Sequence, residues 1–152
     1  MLPRGLTLSE MLVTLSITSV LALITAPSLS RSYSRAQARN IADAVYQDLH
    51  LARTEALKRN QTTWLKFTKD DAGLMTGWTV TRTQDERAPI RAFDLRPYAR
   101  IRVSSATDSI EFSPAPGRMV GAQQIRIESD AGCIALEISP LGFTDLGALT
   151  AC

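Results

Sequence analysis

Hydrophobic and polar positions divide this chain into three stretches. From Met11 to Ala26 the residues are apolar or small and hydroxylated, with no charge. Beyond Pro27, Ile41, Val45, Leu49, Ala52 and Ala56 recur three or four positions apart, which places them on one face of a helix. Arg39, Asp43, Asp48, Arg53, Lys58 and Arg59 fall mainly elsewhere. Leu6 to about Arg59 therefore reads as one long helix, apolar all round in its first half and amphipathic in its second. Pro27 removes a backbone hydrogen bond inside it and predicts a bend. Asn60 is a suitable stop.

After Asn60 the period becomes two. Thr62, Trp64 and Lys66 alternate with Thr63, Leu65 and Phe67, and Gly77–Thr81 follows a turn at Asp70–Gly73. Ile101 and Val103, Ile110 and Phe112, Ile125 and Ile127, and Ile134, Leu136 and Ile138 each alternate with polar or small residues. These are half-buried antiparallel strands. Pro89, Pro97, Pro114, Pro116 and Pro140 mark loops between them. The amphipathic half-helix needs an apolar surface and the sheet offers one. The expected fold is α+β: a long N-terminal helix, transmembrane in its first half, packed through its second half on an antiparallel sheet.

The start of the chain sharpens this. Arg4 is the only basic residue before the apolar run, and Ile24-Thr25-Ala26-Pro27 is a poor small-residue cleavage site. A cut between Gly5 and Leu6 fits better, and it leaves the apolar run in the mature protein as an anchor. As helix, Leu6 to Leu29 is about 36 Å long, enough for a hydrocarbon core of about 30 Å. Thr14, Ser16, Thr18, Ser19 and Thr25 soften that span, as is common where helices pack on helices. At its head stands Glu10. An ionisable group in a membrane segment marks a functional site by default; the plainer alternative is a carboxylate at the membrane surface.

The formal charge of the 152 residues is +2, which implies no strong polyelectrolyte partner. Arg31, Arg35 and Arg39 follow the span, so the positive-inside rule alone does not place the C-terminal part outside. The cysteines argue for that placement. Cys133 and Cys152 are the only two, both late in the chain, and a pair of this kind suits a disulfide in an oxidising compartment. It would close a loop of about 20 residues and contribute roughly 3 kcal/mol. Two unrelated thiols are the alternative. With His50 as the single histidine, no zinc site is expected.

Gly5-Leu6-Thr7-Leu8-Ser9-Glu10-Met11-Leu12-Val13 resembles the class III signal of type IV pilins and pseudopilins. Leu51–Asn60, the Trp64 strand and Gly77-Trp78 resemble the GspH/FimT branch of minor pilins, although Leu6 departs from the usual phenylalanine. The resemblance implies a prepilin peptidase that cuts after Gly5 and methylates the new amine of Leu6. It also gives Glu10 and Pro27 the family's assembly positions. The implied organisation is a leader at 1–5, a transmembrane assembly helix at 6–29 and a periplasmic globular domain at 30–152. The chain would cross the inner membrane once and enter a pilus or pseudopilus. Physically, a desolvated carboxylate wants a positive partner, and the Leu6 amine of a neighbouring subunit would supply one. Cleavage must then come first, because an uncut leader leaves no free amine.

Three functions compete. The first is a minor pilin that helps to initiate or cap a type IV pilus, and the late disulfide common in FimT-type pilins favours it. The second is a type II secretion pseudopilin of GspH type. The third is DNA binding during uptake. Some FimT-like pilins carry a Gly-Arg-x-Arg motif before the last cysteine, but Leu141–Gly147 has no arginine here. The candidate weak DNA patch is instead Arg82, Arg87, Arg91, Arg96, Arg100 and Arg102, with Arg118, and only Phe93 and Tyr98 are placed for base stacking. Asp85, Glu86 and Asp94 balance it, which argues against a nucleic-acid partner. No nucleophile motif or phosphate loop is present, so neither an enzyme nor a cofactor is expected. The expected partners are other pilins, the peptidase and the inner membrane.

Overall fold

The computed structural model describes residues 7–82, 89–115, 119–120, 124–139 and 143–152, without the side chains at 24–27 and 119. Gly5, Leu6, Arg87, Arg118, Asp85 and Glu86, and the side chain of Pro27, lie outside the described set. The chain divides into two compact units, 1–33 and 34–152.

One helix, α1 (Leu8–Arg59), contributes to both units, and its backbone is helical through position 27. It ends by a local device. Asn60 takes φ 51°, and the Gln61 N–H bonds back to the Ala56 carbonyl at 3.2 Å. Asparagine tolerates the left-handed region, and this back-bond satisfies a carbonyl left open at the helix end. In the first unit the described α1 side chains are exposed, leucines and valines included. Their hydroxylated neighbours bond within the helix. Thr14 donates to the Met11 carbonyl, Ser16 to Leu12, Thr18 to Thr14 and Ser19 to Leu15, at 2.7–2.9 Å. These polar groups therefore need no water.

In the second unit α1 lends a face to the core. Ala38, Ile41, Ala42, Val45, Leu49, Ala52 and Ala56 are buried there. Two antiparallel sheets supply the rest. The first has the order β3 (Arg91–Asp94), β2 (Met75–Thr81), β1 (Thr63–Lys69), β5 (Ser109–Phe112), β6 (Met119–Val120). The second has the order β4 (Arg102–Ser105), β7 (Gln124–Ser129), β8 (Gly132–Ile138), β9 (Thr144–Leu146). Both direct one apolar face to a shared cluster: Leu65, Trp78, Val80 and Ile110 from the first, and Val103, Ile125, Ile127 and Leu136 from the second.

The fold is the α+β arrangement read from the pattern, but with two sheets in place of one. The split falls between β4 and β5. They follow each other in sequence, yet β4 pairs with β7 and β5 with β1. Periodicity shows which residues face inward; it does not show which strand they pair with. β3 and β9 escape the alternation rule because they are short edge strands with few buried residues.

The fold makes a contrast testable by denaturant unfolding. Leu49→Ala should cost about 2–5 kcal/mol through lost burial and a cavity. Leu57→Ala, at a side chain 52% exposed in the last turn of the helix, should stay within about 0.5 kcal/mol. Equal effects would contradict the inner face described here.

Candidate functional site: the helix head, a buried carboxylate and the C-terminal staple

Three places carry chemistry. At the head of α1, Thr7 and Glu10 close on each other. The Thr7 backbone N–H donates to Glu10 Oε2 at 2.8 Å and the Thr7 hydroxyl to the same oxygen at 2.9 Å. The Glu10 N–H in turn reaches the Thr7 hydroxyl at 3.3 Å. This is a reciprocal capping box, in which threonine and a glutamate three positions on satisfy N–H groups that the helix leaves open. The sequence signal for this cap is Thr7-x-x-Glu10 before an apolar run, a hydrogen-bonding role beyond the charge of Glu10. The carboxylate has its partner within its own chain.

The second place is Asp48. The helical pattern set it among the outward-facing residues, and the structure corrects this: Asp48 is 0% exposed. It lies three positions after Val45 and four before Ala52, so it belongs to the inner face. Two strands make its burial tolerable. Trp78 Nε1 of β2 donates to Asp48 Oδ2 at 2.8 Å, and Arg91 Nε of β3 stands 3.1 Å from Oδ1. Trp78 stacks on Phe93 with ring centroids 4.3 Å apart, and Phe93 on Tyr98 at 6.1 Å. A single carboxylate thus ties α1 to β2 and to the edge strand β3. Burial pushes its pKa above the ordinary carboxylate value, and the Trp78 hydrogen bond and the Arg91 charge oppose that shift.

The third place is the C-terminus. Cys133 on β8 and Cys152 are joined by a disulfide, with Cα atoms 5.2 Å apart. The tail reaches it along β8. Gly147 N–H donates to the Ala135 carbonyl at 2.9 Å, and Cys133 and Thr150 exchange both backbone bonds at 2.8 and 2.9 Å.

The candidate DNA residues are dispersed. Arg91 is on the first sheet and committed to Asp48, whereas Arg102 is on β4 of the second. Arg96 grips Asp94 through Nε and Nη2 at 2.9–3.1 Å and holds that carboxyl below its usual range. Arg100 comes within 3.9 Å of Asp130. Arg82 is exposed, and its charge helps Arg59, whose hydrogen bond acts most strongly, to lower the pKa of Glu55. Phe93 and Tyr98 are partly buried against the core and stacked within the protein. Among the described residues no group of three or more His, Cys, Asp or Glu side chains gathers for a metal.

A long N-terminal helix on antiparallel sheets, apolar and uncovered at its head, defines a pilin-like protein. The family model described as "Type II transport protein GspH" matches residues 42–142, and a prokaryotic N-terminal methylation motif matches residues 3–26. The chain belongs to this GspH family of minor pilins and pseudopilins, whose members are structural subunits. It is 28% identical over 131 residues to competence protein ComGD of Bacillus subtilis strain 168, covering 84% of this chain and 82% of that one. Its fold is similar to crystal structures of the type IV minor pilin FimU of Pseudomonas aeruginosa PAO1. In one crystal form the TM-score is 0.62 at 21% identity, over 75% of this chain and 90% of that one. In a second the TM-score is 0.57 at 20% identity, over 72% and 92%.

The Asp48 site gives a signed pH prediction. Unfolded, Asp48 titrates near 3.9, about the ordinary value; folded, it titrates higher. Between the two values the folded state holds more protons, so stability falls as pH rises through that window. Asp48→Asn keeps an acceptor for Trp78 and removes the charge. Unfolding curves across pH should show the parent chain losing stability relative to this variant as pH climbs from about 4 toward neutral. A relative gain with rising pH would mean that Arg91 and Trp78 outweigh the burial.

Proposed function

We propose that this chain is a minor pilin that helps to initiate or cap a type IV pilus. The observation that carries the reading is a Glu10 carboxylate at the head of a helix whose first unit is apolar and exposed. That helix is long and apolar enough to cross a membrane, with mean hydropathy 1.9 in its most apolar stretch. In this reading a peptidase removes residues 1–5 and methylates the Leu6 amine. The helix holds the chain in the inner membrane, with the globular unit in the periplasm, until assembly. Glu10 then leaves its capping partners for the amine of a neighbouring subunit. The exchange swaps a neutral N–H and a neutral hydroxyl donor for a full positive charge, which a carboxylate in an apolar bundle favours. The FimU likeness and the Cys133–Cys152 disulfide support the pilus over a type II secretion pseudopilus, which shares the same anchor chemistry.

Two measurements test this. Intact mass of membrane-extracted protein should give a chain beginning at a methylated Leu6; a start after Ala26, or an uncut chain, sinks the reading. Glu10→Ala should remain membrane-inserted yet be depleted from sheared filaments, because the neighbouring amine loses its partner. Normal incorporation of the variant would remove the role given to Glu10.

The relative named as a competence protein gives a second reading, in which the same subunit serves DNA uptake. The residues argue that any such role does not depend on tight binding by this chain. Arg91 and Arg96 are engaged by acids, and the patch is divided between two sheets. Titration with duplex DNA should show binding no tighter than about micromolar at physiological salt, weakening steeply as salt rises. Tighter binding would overturn this, and charge reversal at Arg100 and Arg102 would then locate the site.

A further inference from the structure

We infer that Arg31, Arg35 and Arg39, at the exit end of the apolar span, form a docking surface for the headgroup phosphates of anionic lipid. The inference rests on the membrane anchor proposed above and adds to it a choice of lipid.

These arginines are the only charged residues between Glu10 and Asp43. They stand four positions apart along α1, which is helical without a break from Leu8 to Arg59. All three are exposed, whereas Ser34, Ala38, Ile41 and Ala42 are buried. Four-residue spacing brings like charges close on a helix, and such pairs are mildly destabilising unless an anion lies between them. The chain itself offers none. Among the described residues none of the three has an ion-pair or hydrogen-bond partner. The nearest carboxylate along the helix is the exposed Asp43, four positions beyond Arg39.

The occupant follows from where the span ends. Leu29 is its last large apolar side chain and is 72% exposed. Counted along the helix at 1.5 Å per residue, Arg31, Arg35 and Arg39 lie about 3, 9 and 15 Å beyond it. The headgroup zone on each side of a bilayer is roughly 5–7 Å thick, so Arg31 falls inside it and Arg35 just outside. Helical side chains lean toward the helix N-terminus, which here is the direction of the span. The long arginine stems therefore carry their guanidiniums back toward the phosphates. Arg39 stays within the roughly 8–10 Å over which a charged surface is felt. Tyr33, 65% exposed between Arg31 and Arg35, has an amphipathic ring of the kind that settles at this level. Arginine, rather than lysine, suits phosphate because its planar fork presents two donors to two oxygens. A protein partner would have to bring its own acids to this place. A bilayer around the span puts phosphate there for every copy of the chain.

The full-length chain is placed in nanodiscs of equal parts phosphatidylglycerol and phosphatidylcholine and released in a mass spectrometer, and the lipids it still carries are counted. Phosphatidylglycerol should outnumber phosphatidylcholine several-fold. Near an anionic surface each arginine is worth roughly a five-fold gain, so the triple change Arg31→Gln, Arg35→Gln and Arg39→Gln should remove most of the preference. Glutamine keeps helix propensity high, so this variant retains α1. Replacing Arg100, Arg102 and Arg126 by glutamine removes the same charge from the globular unit and should leave the preference in place. Arg4 is present in every variant, so the difference reads the three arginines alone. Equal numbers of the two lipids on the parent chain, as expected if these arginines serve the carboxylates of a neighbouring subunit instead, overturn the inference and leave the anchor standing. A preference that survives the triple change does the same. A chain that carries neither lipid overturns the anchor and this inference together.

Discussion

The inner face of the second half of α1 is the surface against which both sheets close. It is built from small and branched apolar residues, with Ala38, Ala42, Ala52 and Ala56 between Ile41, Val45 and Leu49. Alanine keeps helix propensity high and leaves room for large side chains from the strands, Trp78 above all. Neither sheet closes into a barrel, and each has only one apolar face to hide. Without the helix both faces would be open, and each buried leucine or isoleucine is worth roughly 1.5–3 kcal/mol when covered. Asp48 is the exception on that face. It contributes direction rather than burial, because its two oxygens point the helix at one indole of β2 and one guanidinium of β3.

The first unit resolves the same helical geometry differently. Its apolar side chains are exposed on every side, and its hydroxyls bond within the helix. A segment of this kind suits a lipid or protein environment and gains little from water. The capping box at Thr7 and Glu10 completes the helix start without an outside partner. The oxygen of Glu10 that caps the helix is thereby engaged within its own chain.

Much of this was legible along the chain. The repeat Ile41, Val45, Leu49, Ala52, Ala56 marked the inner face because burial and helical period coincide there. The alternating pairs of β1, β7 and β8 were legible for the same reason. Asp48 was misplaced because a charged side chain is normally outside, and what overrides that rule is a tryptophan N–H thirty positions away and an arginine further on. β3 and β9 carry too few buried residues to leave a pattern, and the division into two sheets is a matter of long-range pairing that no local window contains. At the site, the cost of an ionisable group in a membrane segment marks the charge of Glu10, while its local hydrogen-bonding role is written in Thr7, three residues earlier.

The central claim is that Glu10 gives up its own helix cap to meet the amine of another subunit. Carbodiimide cross-linking with a lipid-soluble reagent, applied to intact filaments and read by peptide mass, tests it most directly. The account predicts an amide joining Glu10 to the N-terminal residue of a neighbouring subunit. Recovery of Glu10 only as the unlinked reagent adduct, in filaments that demonstrably contain the chain, would contradict it.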